Sequence, residues 1–291
     1  MVSKELFAER FTGLFISDDD FPKIGKSVIG FAFQSFQRSC TFPNPNGQHK
    51  RRPSLMQELV VITGGAGFIG SHLTEGFLKN GYPVRVIDNL STGKLANLAT
   101  VKGSTDFRKI DIRDLAALTQ ALEGASVVLH HAAISSVPRS FQDQATTHDV
   151  NATGTQNLLT AATAAGVRRV IYASSSAVYG NDTADLQRES TLPAPLSPYG
   201  LSKRLGELHS LKVAQTTAME TIVLRYFNVF GSQIAPVYEP DRAGDIKHSR
   251  ADIDLSEKLL GGYNRAVLRD GLVRTARWFL SASGRTKKCE E

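Results

Sequence analysis

The stretch Leu59-Val60-Val61-Ile62-Thr63-Gly64-Gly65-Ala66-Gly67-Phe68-Ile69-Gly70 decides the fold. Its first five residues are a short apolar run stopped by glycine, the pattern of a strand buried on both faces of a parallel sheet. The glycines that follow fit either Gly65-x-Gly67-x-x-Gly70 or Gly64-x-x-Gly67-x-x-Gly70. Both spacings allow a tight turn that brings backbone close to a pyrophosphate at the positive end of a helix. Such a motif gains weight only between a strand and a helix, and helical sequence continues here to about Asn80. Gly64, Gly67, Phe68, Ile69 and Gly70 are therefore candidate cofactor-binding residues.

Working outward, Val84-Arg85-Val86-Ile87-Asp88 reads as the second strand. Asp88 ends it at roughly the 20-residue interval expected of the acid that bonds an adenosine ribose. A carboxylate there repels a 2′-phosphate and favours NAD over NADP; a plain strand-end turn residue is the competing reading. Further strands are expected at 107–110, 126–131, 170–173 and 221–226. A long helix is expected over 147–165, and another carries Tyr199 and Lys203. Strands alternating with helices imply right-handed crossovers and an α/β fold with a doubly wound parallel sheet, a Rossmann-type domain. Asp111 and Ile112 follow the third strand and could flank an adenine, with a helix-capping role as the alternative for Asp111.

Tyr199 and Lys203 stand four apart, which on a helix puts a phenol and an ammonium on one face. A nearby cation favours the phenolate, so the pair is expected to lower the tyrosine pKa and supply a general base. Taken alone, the pair also fits an ordinary exposed helix.

Composition bounds the rest. The 291 residues are 41% hydrophobic with a formal net charge of +6, enough for a sizeable core and too mild for a nucleic-acid footprint. Two cysteines, Cys40 and Cys289, offer neither a disulfide framework nor a metal spacing, which fits a reducing compartment. No apolar run reaches membrane-spanning length, and the start lacks a signal-peptide pattern. A cytoplasmic protein is expected, with no membrane, nucleic-acid or metal partner. Residues 1–57 are rich in Phe without a sustained period and end in a Pro/Asn stretch with a basic patch. They are expected to form a poorly ordered extension with one short helix.

With these residues assembled, the chain resembles the extended short-chain dehydrogenase/reductase family. Within it, the resemblance is to NAD-dependent UDP-sugar 4-epimerases acting on UDP-glucose or UDP-N-acetylglucosamine. The motifs that carry it are the glycine loop, Asp88-Asn89-Leu90, Asp111-Ile112-Arg113, His131-Ala132-Ala133, Ser136-Val137-Pro138-Arg139-Ser140, Ser174-Ser175-Ser176-Ala177-Val178-Tyr179-Gly180, Tyr199-Gly200-Leu201-Ser202-Lys203 and Arg225-Tyr226-Phe227-Asn228-Val229-Phe230-Gly231. The resemblance implies Tyr199 as catalytic base, Lys203 as its partner and holder of the nicotinamide ribose, and Ser175 as hydroxyl donor to the reacting sugar oxygen. It implies that Asn89, Ala132, Ala133, Asn151 and Tyr226 lie along the NAD, and that Ser136, Asn228, Arg242 and Asp245 contact the UDP-sugar. The implied reaction interconverts UDP-sugars at C4 through a 4-keto intermediate, with NAD regenerated in each cycle. Family members often dimerise, so a homodimer is a candidate, through the helices near 156–165 and after Tyr199.

After Gly231 the chain departs from the family. Ser232-Gln233-Ile234-Ala235 runs directly into a segment resembling the family's C-terminus, so a stretch of the substrate-binding region is missing. The expected organisation is an extension over 1–57, an NAD-binding domain with the catalytic residues over 58–234, and a remnant of the substrate-binding domain over 235–291. In that remnant, Asp254 to Leu260 reads as a short helix, and Leu268, Leu272, Ala276 and Phe279 mark an apolar face. The deletion puts activity in doubt. It leaves open an NAD-binding module without turnover, or a nucleotide-sugar dehydratase or decarboxylase. Dehydratases usually carry Asp-Glu after the catalytic hydroxyl residue, where this chain has Ser176-Ala177.

Overall fold

Side chains alternate across a strand, so a run that is apolar at every position must be covered on both sides. In the computed structural model, Leu59–Thr63 (β3) meets that requirement at the centre of a parallel six-stranded sheet. The structure describes residues 41–43, 49–51, 58–101, 103–181, 186–227, 229, 251–252 and 254. Val84–Ile87 (β4), Asp106–Arg108 (β5), Ala125–His130 (β6), Arg169–Ser175 (β7) and Glu220–Tyr226 (β8) complete the sheet in the order β5-β4-β3-β6-β7-β8. Every pairing in it is parallel. The chain runs outward from β3 to one edge, then returns to continue beyond β3 with β6. That reversal between β3 and β6 is the topological switch point, where such sheets open a crevice at their carboxyl ends.

Each sheet face has its own core. Val60, Ile62, Val127 and Leu129 pack with Leu73 and Phe77 of Phe68–Lys79 (α1) on one side. Val61, Val128 and Val170 pack with Leu118 of Leu115–Ala121 (α2) and with Leu158 and Leu159 of Gly154–Ala164 (α5) on the other. Odd and even positions of the same strands thus feed different layers, as the period of two requires.

The helix expected over 147–165 is a composite. Gln144–His148 (α4) is capped by Asp143, Asp149–Thr153 forms a π turn, and α5 continues from Gly154. Pro198–Thr216 (α6) starts at Ser197, whose hydroxyl accepts from the Gly200 amide at 3.0 Å. The short helices α2 and Val137–Gln142 (α3) had no counterpart in the sequence reading. The third sheet strand lies slightly earlier than expected, at Asp106–Arg108.

In the extension, Thr41–Pro43 (β1) and His49–Arg51 (β2) form an antiparallel pair, where no strand was expected. The short helix expected somewhere within residues 1–57 and the apolar face at Leu268–Phe279 fall outside the described residues. Among the described residues, no helix is long and apolar enough to cross a membrane.

Candidate active site

The carboxyl ends of β3, β4, β6, β7 and β8 and the start of α6 converge on one region. Gly64 leaves β3 at φ +69°, where only glycine is unstrained, and a Cβ there would stand 2.7 Å from the Ala132 amide nitrogen. A Cβ on Gly70 would overlap the Gly64 carbonyl and sit 2.7 Å from Gly65 Cα. The glycines therefore let α1 start directly against the loop. Its N-terminus at Gly67 has no side-chain cap and no acid in its first turn. Uncapped amides at a positive helix end suit a phosphate. Phe68 and Ile69 are half-buried in that turn.

Asp88 is 7% exposed, and its carboxylate accepts from the amides of Ala66 at 3.0 Å and Leu90 at 2.8 Å. Those bonds use two of its roughly four lone-pair sites, leaving capacity for ribose hydroxyls. Asn89 bridges onward, donating to Asp111 at 2.9 Å. Asp111 is itself forked by Arg113, Nε at 2.9 Å and Nη2 at 2.8 Å, which pulls its carboxyl well below the usual range. Ile112 packs into the core beneath Gly154. The side chains of Asp111 and Ile112 are thus committed to the protein, and only backbone and shape at this corner are left for an adenine.

On the other side of the switch point, Ala132 and Ala133 follow β6, and the Ala132 amide donates to Thr63 Oγ1 at 3.3 Å. Behind them a buried chain of hydrogen bonds fixes the orientation of His130. Thr155 Oγ1 donates to the Asn151 carbonyl at 2.6 Å, so it must accept from His130 Nε2 at 3.0 Å. Nδ1 then accepts from the Thr63 hydroxyl at 2.7 Å. This assigns the Nε2–H tautomer from the network, and burial holds the imidazole well below its ordinary pKa. Asn151 sits in the π turn, where its amide pairs with both backbone groups of Ile134 and donates to Ser202 Oγ at 3.1 Å. A single-turn π distortion often marks a functional position.

At the reacting end, Tyr199 and Lys203 face the end of β7. Tyr199 is half-buried, and burial raises the phenol pKa while the Ser175 hydroxyl bond opposes that rise. Lys203 is 4% exposed; its ammonium donates to the Ala173 carbonyl at 2.9 Å and lies 6.0 Å from the Tyr199 ring centroid. Burial brings Lys203 down to about 7. Desolvation acts on both groups and dominates each. Tyr226, at the end of β8, shares a 3.0 Å hydrogen bond with His131 Nε2. Burial raises the phenol and lowers the imidazole to about 3, so both are neutral at pH 7.

Ser136 caps α3 by accepting from the Arg139 amide at 3.3 Å and joins none of these contacts. Asn228, Arg242 and Asp245 lie outside the described residues. Among the described residues, no group of His, Cys, Asp or Glu could hold a metal ion.

The sequence reading missed Glu207, which is fully buried one turn beyond Lys203. It accepts from Ser174 Oγ at 2.6 Å, from Arg225 Nε and Nη2 at 2.8 Å each, and from Arg204 Nη1 at 2.9 Å. The signal was present in the spacing Tyr199, Lys203, Glu207, which keeps three polar groups on one helical face.

A doubly wound sheet with a glycine loop at its switch point, an acid ending the next strand and a Tyr/Lys/Ser cluster on a flanking helix defines the short-chain dehydrogenase/reductase class. More particularly, the chain belongs to the NAD dependent epimerase/dehydratase family, whose model matches residues 60–274. UDP-arabinose 4-epimerase 1 of Arabidopsis thaliana is 34% identical over 214 residues, covering 71% of this chain and 51% of that protein. Among solved structures, the UDP-glucose 4-epimerase of Thermotoga maritima with UDP-glucose aligns at a TM-score of 0.72 and 25% identity, over 77% of this chain and 99% of that one. The UDP-glucose 4-epimerase of Thermus thermophilus in complex with NAD aligns at a TM-score of 0.58 and 37% identity, over 62% and 58% of the respective chains. The chain spans about half the length of the curated relatives it matches.

Proposed function

We propose that this chain binds NAD along the carboxyl ends of β3, β4 and β6 and interconverts a UDP-sugar with its C4 epimer at Tyr199. The observation that carries this reading is the cluster of Tyr199, Ser175 and buried Lys203 at the end of β7, together with an uncapped helix start after β3.

The residues present fit the dinucleotide. The free amides at the start of α1 would take the diphosphate, Asp88 the adenosine ribose, and Lys203 the nicotinamide ribose. NAD, when bound, supplies the hydride acceptor and returns the hydride to the sugar. The protein's own work is with protons and position. Tyr199 takes the proton from the sugar 4-hydroxyl and later gives it back. Ser175 donates to the same oxygen, where charge changes during the step. Lys203, its pKa lowered by burial, places positive charge beside the phenol when a ligand draws it off the Ala173 carbonyl. The raised phenol pKa then has to fall on assembly of the complete site, because a neutral phenol is a weak base.

The same reading places the shortfall in length after Gln233, within the sugar-binding half. The partner is a UDP-sugar, contacted by Ser136, Asn228, Arg242 and Asp245. A cytoplasmic homodimer is part of the proposal: Leu201 and Leu208, one heptad apart on α6, are exposed.

The test incubates the purified chain with UDP-glucose, UDP-N-acetylglucosamine and UDP-arabinose and separates the products. Appearance of the C4 epimer supports the reading. A deoxy-4-keto product would move the chain to the dehydratases. Bound NAD with no interconversion would leave a cofactor-binding module, the alternative favoured by the length shortfall.

A further inference from the structure

Ser174 and Arg225 are register partners on β7 and β8, and so are their successors Ser175 and Tyr226. One carboxylate holds the first pair together. Glu207 reaches out of α6 to Ser174 Oγ at 2.6 Å and grips Arg225 through both Nε and Nη2 at 2.8 Å. It has no solvent exposure, and its charge is compensated by Arg225 and Arg204. Arg225 also lies over the Tyr179 ring, 4.6 Å from its centroid, which fixes the guanidinium plane from its other side. Lys203, one turn earlier on the same helix, bonds the Ala173 carbonyl next door. Gly206, beside Glu207, has no room for a Cβ against the Tyr172 ring, so the helix lies directly on β7.

We infer that Glu207 is the positioning residue of the reacting end: by clamping α6 to β7 and β8 it sets where Tyr199 and Lys203 stand relative to Ser175 and Tyr226. This rests on the reading of that end as the nicotinamide site. The clamp acts on residues adjacent in sequence to the site residues, so it controls their placement without touching a ligand. A buried forked carboxylate–guanidinium pair suits that task because it is directional at both ends. The glycine loop and Asp88 belong to β3 and β4 and lie outside its reach. The two halves of the dinucleotide site should therefore respond differently when the clamp is weakened.

That difference is the test. Binding of NAD and of ADP is measured by calorimetry on the full chain, wild type against Glu207→Gln and Ser174→Ala, with circular dichroism to confirm folding. ADP reaches only the adenosine and diphosphate end, whereas NAD spans both. Glu207→Gln should weaken NAD on the order of tenfold while leaving ADP unchanged, as expected for loss of a charge-assisted bond. Ser174→Ala, which removes one hydrogen bond and no charge, should weaken NAD in the same direction by a smaller factor. It also keeps the test decisive should Glu207→Gln fail to fold. Equal weakening of NAD and ADP would make Glu207 a general stabiliser and overturn the inference, as would unchanged NAD affinity in both variants. A wild-type chain that binds NAD no more tightly than ADP would overturn the nicotinamide site itself, and the inference with it. The first two failures leave the proposed function standing.

Discussion

Replacing Lys203 with methionine should stabilise the folded chain at neutral pH, and the gain should fade as pH rises. In the fold, burial brings this amine from 10.5 to about 7. The unfolded chain therefore binds more protons than the folded one between those values. Stability attributable to Lys203 accordingly rises with pH across that window and is flat below it. At 1.36 kcal/mol per unit, 3.5 units set an upper bound of roughly 5 kcal/mol on the cost of keeping Lys203 inside at low pH. Against that stands the hydrogen bond to the Ala173 carbonyl, whose loss leaves a buried acceptor unmet at about 1–3 kcal/mol. The net gain for Lys203→Met at pH 7 is then at most about 2–4 kcal/mol by the same reckoning. Between pH 7 and pH 9 the difference between wild type and variant should shrink by about 2 kcal/mol. Urea unfolding followed by far-UV circular dichroism at the two pH values, without added nucleotide, measures both numbers. Parallel pH dependences in the two proteins would refute the reasoning, because they would mean that the amine is not desolvated in the fold. The same substitution should weaken NAD, so stability and function pull in opposite directions at one residue.

Other expectations follow from the same geometry. Tyr199→Phe should lower interconversion by about 10²–10⁴-fold, the usual worth of a positioned proton-transfer group, and leave NAD affinity nearly unchanged; kinetics and calorimetry on one preparation decide it. Gly70→Ala should push α1 off the glycine loop, costing about 1–3 kcal/mol and weakening both NAD and ADP, as read by unfolding and calorimetry. His131, held neutral by burial with its pKa lowered to about 3, should make the fold lose about 2 kcal/mol between pH 7.5 and pH 5, and buried His130 acts in the same direction. The unfolded imidazoles take up protons there while the folded ones do not; urea midpoints of His130→Asn, less steep in pH than wild type, check it. Leu158→Ala, a fully buried side chain of α5, should cost about 2–5 kcal/mol in the same unfolding assay without changing the NAD to ADP ratio.

The sheet was legible because its strands are short apolar runs with glycine or acid at their ends, and local pattern carries that information. β5 was read late because its polar residues Asp106 and Arg108 belong to an edge strand, while the apolar Ile110 beyond it drew attention. Helices α2 and α3 are too short to establish a period. The π turn could not be seen at all, since it depends on Asn151 bonding Ile134 across the fold. The glycine loop and Asp88 lie at the ends of β3 and β4, and Ser175, Tyr199 and Lys203 lie about the end of β7. Spacing says nothing of desolvation, which acts on both members of the last pair. Glu207 was overlooked for a related reason: a charged residue mid-helix reads as solvated until its partners on β7 and β8 are known.

The π turn at Asp149–Thr153 makes this part of the chain intolerant of a change in residue count. A π turn spends one residue more than an α turn, so deleting one residue there would close the wide turn while leaving α4 and α5 close to their present alignment. Asn151 would leave the backbone of Ile134, and the segment that carries Ala132 and Ala133 would lose its tether. Substitutions on the exposed face of α5 leave that tether in place, whereas a single codon gained or lost between Asp149 and Thr153 would remove it.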